Sequence, residues 1–151
     1  MIIKIIRHSR KAETIDGRLY IEGIPICDCA ENALSALKAG EYLVATQKCR
    51  QLHRNMPVVR LHKDVLPCCA LCKKMKFVNI NTKRPRKCPM LKPGNGVYHR
   101  DDGSIIVGEF IAPGCLKNTK EKFDIIYERI RKNLERGNPV TLCIIDETQV
   151  S

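Results

Sequence analysis

Short apolar runs, separated by turn-forming residues, repeat along most of the chain. Each run is rich in Ile, Val or Leu and is followed by Gly, Pro, Asn or Asp, which is typical of β-strands. The runs that we predict as strands are 2–7, 18–21, 24–27, 41–46, 58–61, 104–110 and 140–145. Glu22-Gly23 stands between the second and third runs and indicates a tight hairpin turn. A short helical turn is expected over 31–38.

One segment near the C-terminus has the 3.6-residue period of an amphipathic helix. Its apolar stripe consists of Phe123, Ile126, Tyr127, Ile130 and Leu134. Asn118 and Glu121 have the spacing of a capping box, and Gly137 marks the end of the helix. Together these elements predict an α+β fold: a β-rich single domain over 1–151, with about six or seven short strands in a mixed sheet or partial barrel and one long C-terminal helix. The irregular segment 63–93 is expected to be an insertion.

The composition favours a partner of opposite charge. The formal net charge is +11, from 27 Lys and Arg against 16 Asp and Glu. Such an excess favours an anionic polymer, either cell wall or nucleic acid, or an acidic protein. Aromatic residues make up 5% of the chain and Trp is absent, which argues against a site built from several stacking rings.

The N-terminus predicts a protein that is cytoplasmic as synthesised. Met1 to Arg7 is too short and too charged to be the apolar part of a secretory signal peptide. No apolar run approaches the length of a transmembrane helix, so we expect no membrane insertion. The nine cysteines are therefore expected to be reduced thiols. A phage or secretion apparatus could still deliver such a protein elsewhere.

Glycine and acid or amide residues bend the chain directly before the predicted strand 104–110, and such turns often carry sites. This turn belongs to an ordered set of short motifs along the chain: Gly17-Arg18-Leu19-Tyr20, Cys27-Asp28, Glu31, Ala39-Gly40-Glu41-Tyr42, Gly94-Asn95, Asp102-Gly103-Ser104-Ile105-Ile106-Val107-Gly108 and Asn118-Thr119. In this order they resemble a family of phage and bacterial proteins, domain-of-unknown-function family 5675. The resemblance covers most of the chain and leaves the cysteine-rich middle as an insertion.

The resemblance also implies what the site has lost. In that family a His precedes the Gly-Asn pair and a Cys follows the later glycine, an outline similar to L,D-transpeptidases, whose His-activated Cys acts on peptidoglycan stem peptides. Lys92 and Ser104 occupy those positions here, and a Ser hydroxyl without a neighbouring base is a poor nucleophile. The implied protein is a phage- or prophage-associated accessory domain that binds rather than catalyses. Its remnant site would be lined by Lys92, Gly94, Asn95, Asp102, Gly103 and Ser104.

A nearby His and Gly-Cys combination supports a competing interpretation. Cys115 would be a thiolate nucleophile, His99 its base, and backbone amides near Gly114 the oxyanion donors. The protein would then be a cysteine peptidoglycan transpeptidase or hydrolase. The simpler interpretation, which we prefer, is a buried and inert Cys115 in a turn with a solvated His99.

The insertion carries a candidate zinc site. Two cysteines separated by two residues can direct both thiolates to one Zn²⁺ from a single turn. The candidate ligands are Cys69, Cys72, Cys88 and Cys68, with Cys49, His53 and His62 as alternatives for the last position. The hypothesis is a structural zinc that orders this polar segment. The other interpretation is a group of reduced thiols with no cofactor.

The insertion also carries a dense basic cluster. Its members are Lys73, Lys74, Lys76, Lys83, Arg84, Arg86 and Lys87, and no acidic residue lies between Asp64 and Asp101. Such a cluster is typical of a segment that binds phosphate backbones or anionic wall polymers. A basic nucleic-acid-binding module is therefore a third hypothesis. The alternative is a solvated loop that its own charge keeps extended.

Overall fold

The computed structural model of the chain describes residues 1–49, 54–60, 89–94 and 103–148. The strands are β1 (Ile2–Arg10), β2 (Thr14–Ile21), β3 (Ile24–Asn32), β4 (Gly40–Cys49), β5 (Arg54–Arg60), β6 (Leu91–Lys92), β7 (Ile105–Ala112), β8 (Cys115–Lys117) and β9 (Val140–Asp146). The helix, α1, spans Thr119–Glu135. The hairpin turn expected at Glu22-Gly23 joins β2 to β3, and both residues have positive φ.

The strands form one mixed sheet in the order β5-β4-β9-β1-β2-β3-β7-β6, with β8 paired to β7. β1 runs parallel to β9, and β6 runs parallel to β7. The two ends of this order meet: Val58 of β5 bridges to Met90, and the Val59 N–H donates to the Pro89 carbonyl at 2.9 Å. The result is a nearly closed barrel.

The structure confirms a β-rich fold with one long helix, and it corrects the number of strands. The described residues contain nine strands rather than six or seven. The additional strands, β6 and β8, have two and three residues, which is too short for a recognisable alternation of apolar and polar positions. β6 lies at the end of the segment expected to be irregular, where it pairs with β7.

Alternate residues of the strands face the barrel interior. On β1 and β2 these are Ile3, Ile5, Leu19 and Ile21, all completely buried. Cys27 and Cys29 of β3 belong to the same apolar cluster, as their spacing on a strand predicts. Burial of each such aliphatic side chain contributes about 1.5–3 kcal/mol to folding.

The helix covers this interior with the apolar stripe that the sequence predicts. Phe123, Ile126 and Ile130 are completely buried in the same cluster. Tyr127 packs at its margin and stacks on Phe123 with the ring centroids 5.7 Å apart. The Arg54 guanidinium of β5 lies 5.3 Å from the Phe123 ring centroid, so a cation–π contact also fixes the helix to β5.

The start of the helix differs from the predicted capping box. Asn118 precedes the first helical residue with left-handed backbone angles (φ 52°, ψ 32°), and its side chain makes no capping hydrogen bond. A side-chain cap requires an extended backbone at this position. The Asn118 amide instead donates to Glu109 of β7 at 3.0 Å. The capping-box prediction was therefore wrong.

The helical turn predicted over 31–38 is also wrong. Glu31 and Asn32 still belong to β3. The Leu34 N–H donates to the Asn32 side-chain oxygen at 2.9 Å, and the Ser35 N–H donates to the Asn32 carbonyl at 3.2 Å. Asn32 thus starts an Asx turn, in which the side chain competes with helix formation.

Across the described ranges, no helix has the length and apolarity that crossing a bilayer would require.

Candidate functional site

A charged pair lies inside the barrel, among the apolar residues. Arg7 follows Ile3 and Ile5 on the inner face of β1, and Glu31 extends from β3; both side chains are 2% exposed. The Arg7 Nε and Nη2 atoms donate to the two carboxylate oxygens of Glu31, each at 2.8 Å. This two-pronged geometry gives the strongest form of Arg–carboxylate hydrogen bonding.

Two further groups surround the Arg7 guanidinium. Nη2 donates to the Leu37 carbonyl at 2.6 Å, and Nη1 lies 3.7 Å from the Asp146 carboxylate at the end of β9. Burial disfavours the charge of Arg7, but the hydrogen bonds and charge of Glu31 outweigh it and raise the pKa of Arg7. The cluster therefore joins β1, β3, β9 and the segment after β3 around one buried guanidinium.

Asp146 completes this cluster. Burial alone would raise the pKa of its carboxyl group, but hydrogen bonds from Thr148 and Arg10, together with the charge of Arg7, hold that pKa below its usual value. The Arg10 Nη2 atom lies 3.3 Å from the carboxylate. Asp146 thus carries its negative charge between two arginines.

Two of the residues predicted to line the remnant site, Lys92 and Ser104, are buried. Ser104 is 2% exposed and Lys92 is 6% exposed. The Ser104 Oγ accepts a hydrogen bond from the Met90 N–H at 3.2 Å, at the seam where the barrel closes. Both side chains are therefore enclosed by the fold at the two positions where the sequence analysis expected a remnant site.

The position directly before Ser104, occupied by Gly103, requires a glycine. Its φ is +81°, and a Cβ atom there would lie 3.3 Å from both the Leu37 side chain and the Ser35 carbonyl. Gly103 thus packs closely on the segment after β3. Gly94 is half-buried, whereas Asn95 and Asp102 lie outside the described residues, so their role in the remnant site stays a prediction.

The structure describes only one residue of the competing Cys115–His99 pair. Cys115 is half-buried at the start of β8, and His99 lies outside the described residues. The Gly114 N–H, a predicted oxyanion donor, already donates to the two carboxylate oxygens of Asp16, at 3.1 and 3.3 Å. Burial raises the pKa of Asp16 despite this hydrogen bond. The Gly114 amide therefore holds the β7–β8 hairpin against β2.

A groove of about 320 Å³ opens on the outer face of the sheet. It is lined by Ile6, His8, Arg18, Tyr20, Asp28 and Glu147. The strand register places Arg18 of β2 directly opposite Ile6 of β1 on one side and Asp28 of β3 on the other. Because side chains alternate across a strand, these residues face away from the apolar interior. The groove therefore combines apolar surface with charges of both signs.

The charges in this outer groove are loosely paired. The Arg18 side chain is 56% exposed, and its Nε atom lies 3.8 Å from the Asp28 carboxylate, which is longer than a hydrogen bond. The other oxygen of Asp28 accepts the Phe110 N–H at 3.0 Å. The His8 ring meets the Phe110 ring edge-on, with centroids 6.2 Å apart. Arg18 can thus turn to a ligand while Asp28 stays fixed.

The predicted metal and polyanion sites fall outside the described residues. This applies to the cysteines Cys68, Cys69, Cys72 and Cys88 and to the basic cluster from Lys73 to Lys87. Within the described ranges no group of three or more His, Cys, Asp or Glu could hold a metal ion. Burial raises the pKa of the Cys27 thiol to about 11, so this thiol is protonated at neutral pH.

Sequence reasoning missed the buried pair and the outer groove. One signal was present: Arg7 takes the next inward position after Ile3 and Ile5 on β1, and a charge on an inward position requires a buried partner. Identifying Glu31 as that partner required the pairing of β2 with both β1 and β3. The groove had no comparable signal, because outward polar residues are the normal condition of a strand.

Comparison with known proteins gave no match: no family model, curated protein or solved structure matches the chain. What the protein does must therefore follow from its own residues and their geometry.

Proposed function

We propose that the chain is a non-catalytic binding domain for peptidoglycan, a phage- or prophage-associated accessory domain related to a peptidoglycan-acting scaffold. The main observation that supports this proposal is the burial of Ser104. A nucleophile must be reachable by the substrate and must have a base to activate it. Ser104 is 2% exposed and its hydroxyl accepts a hydrogen bond from the Met90 N–H, which fits a structural role.

The outer groove supports binding in place of catalysis. It offers an exposed guanidinium, two carboxylates and an apolar surface, and the whole chain carries a net charge of +11. Peptidoglycan presents carboxylates and amines on flexible peptides attached to glycan strands. Charges of both signs in the groove match such a ligand.

Co-sedimentation with purified sacculi, combined with a turnover assay on soluble wall fragments, tests this function. We expect the protein to sediment with sacculi at low ionic strength and to leave the fragments unchanged after prolonged incubation. Failure to sediment would end the proposal. Cleavage or cross-linking of fragments that disappears in Cys115→Ala would replace it with the cysteine-enzyme hypothesis.

Nucleic-acid binding is the second candidate, and the distribution of charge favours testing it. Residues 61–88 contain eight basic residues and one acidic residue, whereas the described residues contain seventeen basic and thirteen acidic. Any strong attraction to polyanions therefore resides in 61–88. Gel shifts over a range of salt should show affinity that falls steeply as salt rises. Absence of a shift at low salt would remove this candidate.

A further inference from the structure

The outer groove has the features of a ligand site rather than of a bare sheet surface. Its volume of about 320 Å³ falls at the lower end of the range of about 300–1,000 Å³ for small-molecule sites. The backbone that carries its lining residues is rigid, because β1, β2 and β3 are paired along their length. The Phe110 N–H also holds the Asp28 carboxylate in place. A site of this size accommodates a short ligand.

The charges of the outer groove restrict the kind of ligand. The Arg18 guanidinium can form a two-pronged pair with a carboxylate. Asp28 and the exposed Glu147 would attract an ammonium group and repel further negative charge. A polyanion would meet both carboxylates, so a ligand with groups of both signs matches better.

The apolar part of the groove distinguishes peptide from glycan. Ile6 and Tyr20, both half-buried, supply the apolar surface of its lining. Sugar rings are commonly held by stacking on aromatic faces, and Tyr20 is the single aromatic ring besides His8 among the lining residues. Aliphatic side chains of a peptide can cover Ile6 without such a platform.

We infer that the outer groove binds a short peptide that carries both carboxylate and ammonium groups. This inference rests on the proposed function, in which the ligand is the peptide portion of peptidoglycan and not its glycan strand. Arg18 holds a ligand carboxylate, and Glu147 with Asp28 holds a ligand ammonium. Ile6 and Tyr20 contact the intervening aliphatic atoms.

Calorimetric titration with three soluble probes tests the inference. The probes are the pentapeptide L-alanyl-γ-D-glutamyl-L-lysyl-D-alanyl-D-alanine, the same peptide with its amines acetylated, and chitotetraose. We expect the pentapeptide to bind and Arg18→Ala to weaken binding by about tenfold, the effect of losing a charged hydrogen bond of about 1.5 kcal/mol. Lys120→Ala, an exposed basic residue on α1, is the matched control and should leave the affinity unchanged.

A double-mutant cycle identifies the ammonium contact. Acetylation of the peptide should weaken binding to the wild type by about fivefold, in the range of an exposed ion pair, and should have less effect on Glu147→Gln. NMR shift changes on titration should centre on Ile6, Arg18 and Tyr20 rather than on α1, which gives a readout independent of any variant.

The outcomes separate this inference from the function on which it rests. If sacculi bind wild type and Arg18→Ala equally, or if chitotetraose binds and the pentapeptide does not, the peptide groove is wrong and wall binding survives. If sacculi do not bind at all, the proposed function fails and the inference fails with it.

Discussion

Two Arg–carboxylate pairs lie on opposite faces of β1, β2 and β3. They differ in their exposure to solvent and in the distance between their charges. Arg7 and Glu31 are 2% exposed and joined by two hydrogen bonds of 2.8 Å. Arg18 and Asp28 are 56% and 25% exposed and come no closer than 3.8 Å. The first pair has exchanged all of its water for protein contacts, whereas the second keeps its water.

Both pairs have the same chemistry, so their difference in burial distinguishes a pair that stabilises the fold from one that a ligand can reach. Removing two charges from water costs several kcal/mol per ion, which close geometry and added hydrogen bonds must offset. The contacts of Arg7 with Leu37 and Asp146 supply those additional partners. Arg18, still hydrated, can exchange water for a ligand at little cost. Burial therefore assigns Arg7 to the fold, and exposure leaves Arg18 available for the ligand contact that we propose.

Breaking the inner pair should have a large effect on stability. Arg7→Met leaves the Glu31 carboxylate buried without its partner, and we expect a loss of about 3–5 kcal/mol in the free energy of unfolding. Urea denaturation followed by circular dichroism measures this loss. The double variant Arg7→Met/Glu31→Met should recover most of it, because the buried Glu31 charge is then also gone and Asp146 keeps Arg10 as a partner. A double variant as unstable as the single one would show that the pair is not the source of the effect.

The third carboxylate of the inner cluster should make the fold acid-sensitive. Because the folded state lowers the pKa of Asp146, its contribution is present above the unfolded pKa and is lost as pH falls through the folded value. Asp146→Asn should cost about 1–2 kcal/mol at pH 7 and progressively less below about pH 4.

The adjacent exposed residue provides the control for this pH dependence. Glu147→Gln should follow the wild-type curve of melting temperature against pH, since Glu147 is exposed at the rim of the groove. Equal slopes for wild type and Asp146→Asn between pH 2 and pH 5 would contradict the role given to Asp146.

Breaking the outer pair should barely change stability. Arg18→Ala removes an exposed ion pair, and such pairs contribute about 0.2–1 kcal/mol. Its urea midpoint should lie close to that of Lys120→Ala. A loss comparable to that of Arg7→Met would mean that Arg18 supports the fold, and its place in the groove as a ligand contact would then be wrong.

The long elements could be predicted because their periods extend over enough residues. The stripe from Phe123 to Leu134 identified α1, and the Ile-rich run after Met1 identified β1. β6 and β8 could not be predicted, since two or three residues carry no period. The capping box at Asn118 failed for a different reason: tertiary contact with Glu109 determined the backbone there.

The candidate site was less predictable than the fold. Gly103, at the end of the turn predicted before β7, does need its positive φ. Its neighbour Ser104 was expected at a binding surface but lies buried at the barrel seam, because strand pairing brings Met90 onto it. Arg18 and Glu147 are 129 positions apart along the chain, and only the pairing of β1 with both β9 and β2 brings them together.

The seam itself has a consequence for how this protein can change. The Val59 N–H donates to the Pro89 carbonyl at 2.9 Å, so two residues thirty positions apart in the sequence meet at one point of the barrel. The entropy of closing a loop between fixed ends grows only slowly with its length. Doubling the number of residues between those two points would therefore add only about 0.6 kcal/mol of closure entropy to the cost of folding.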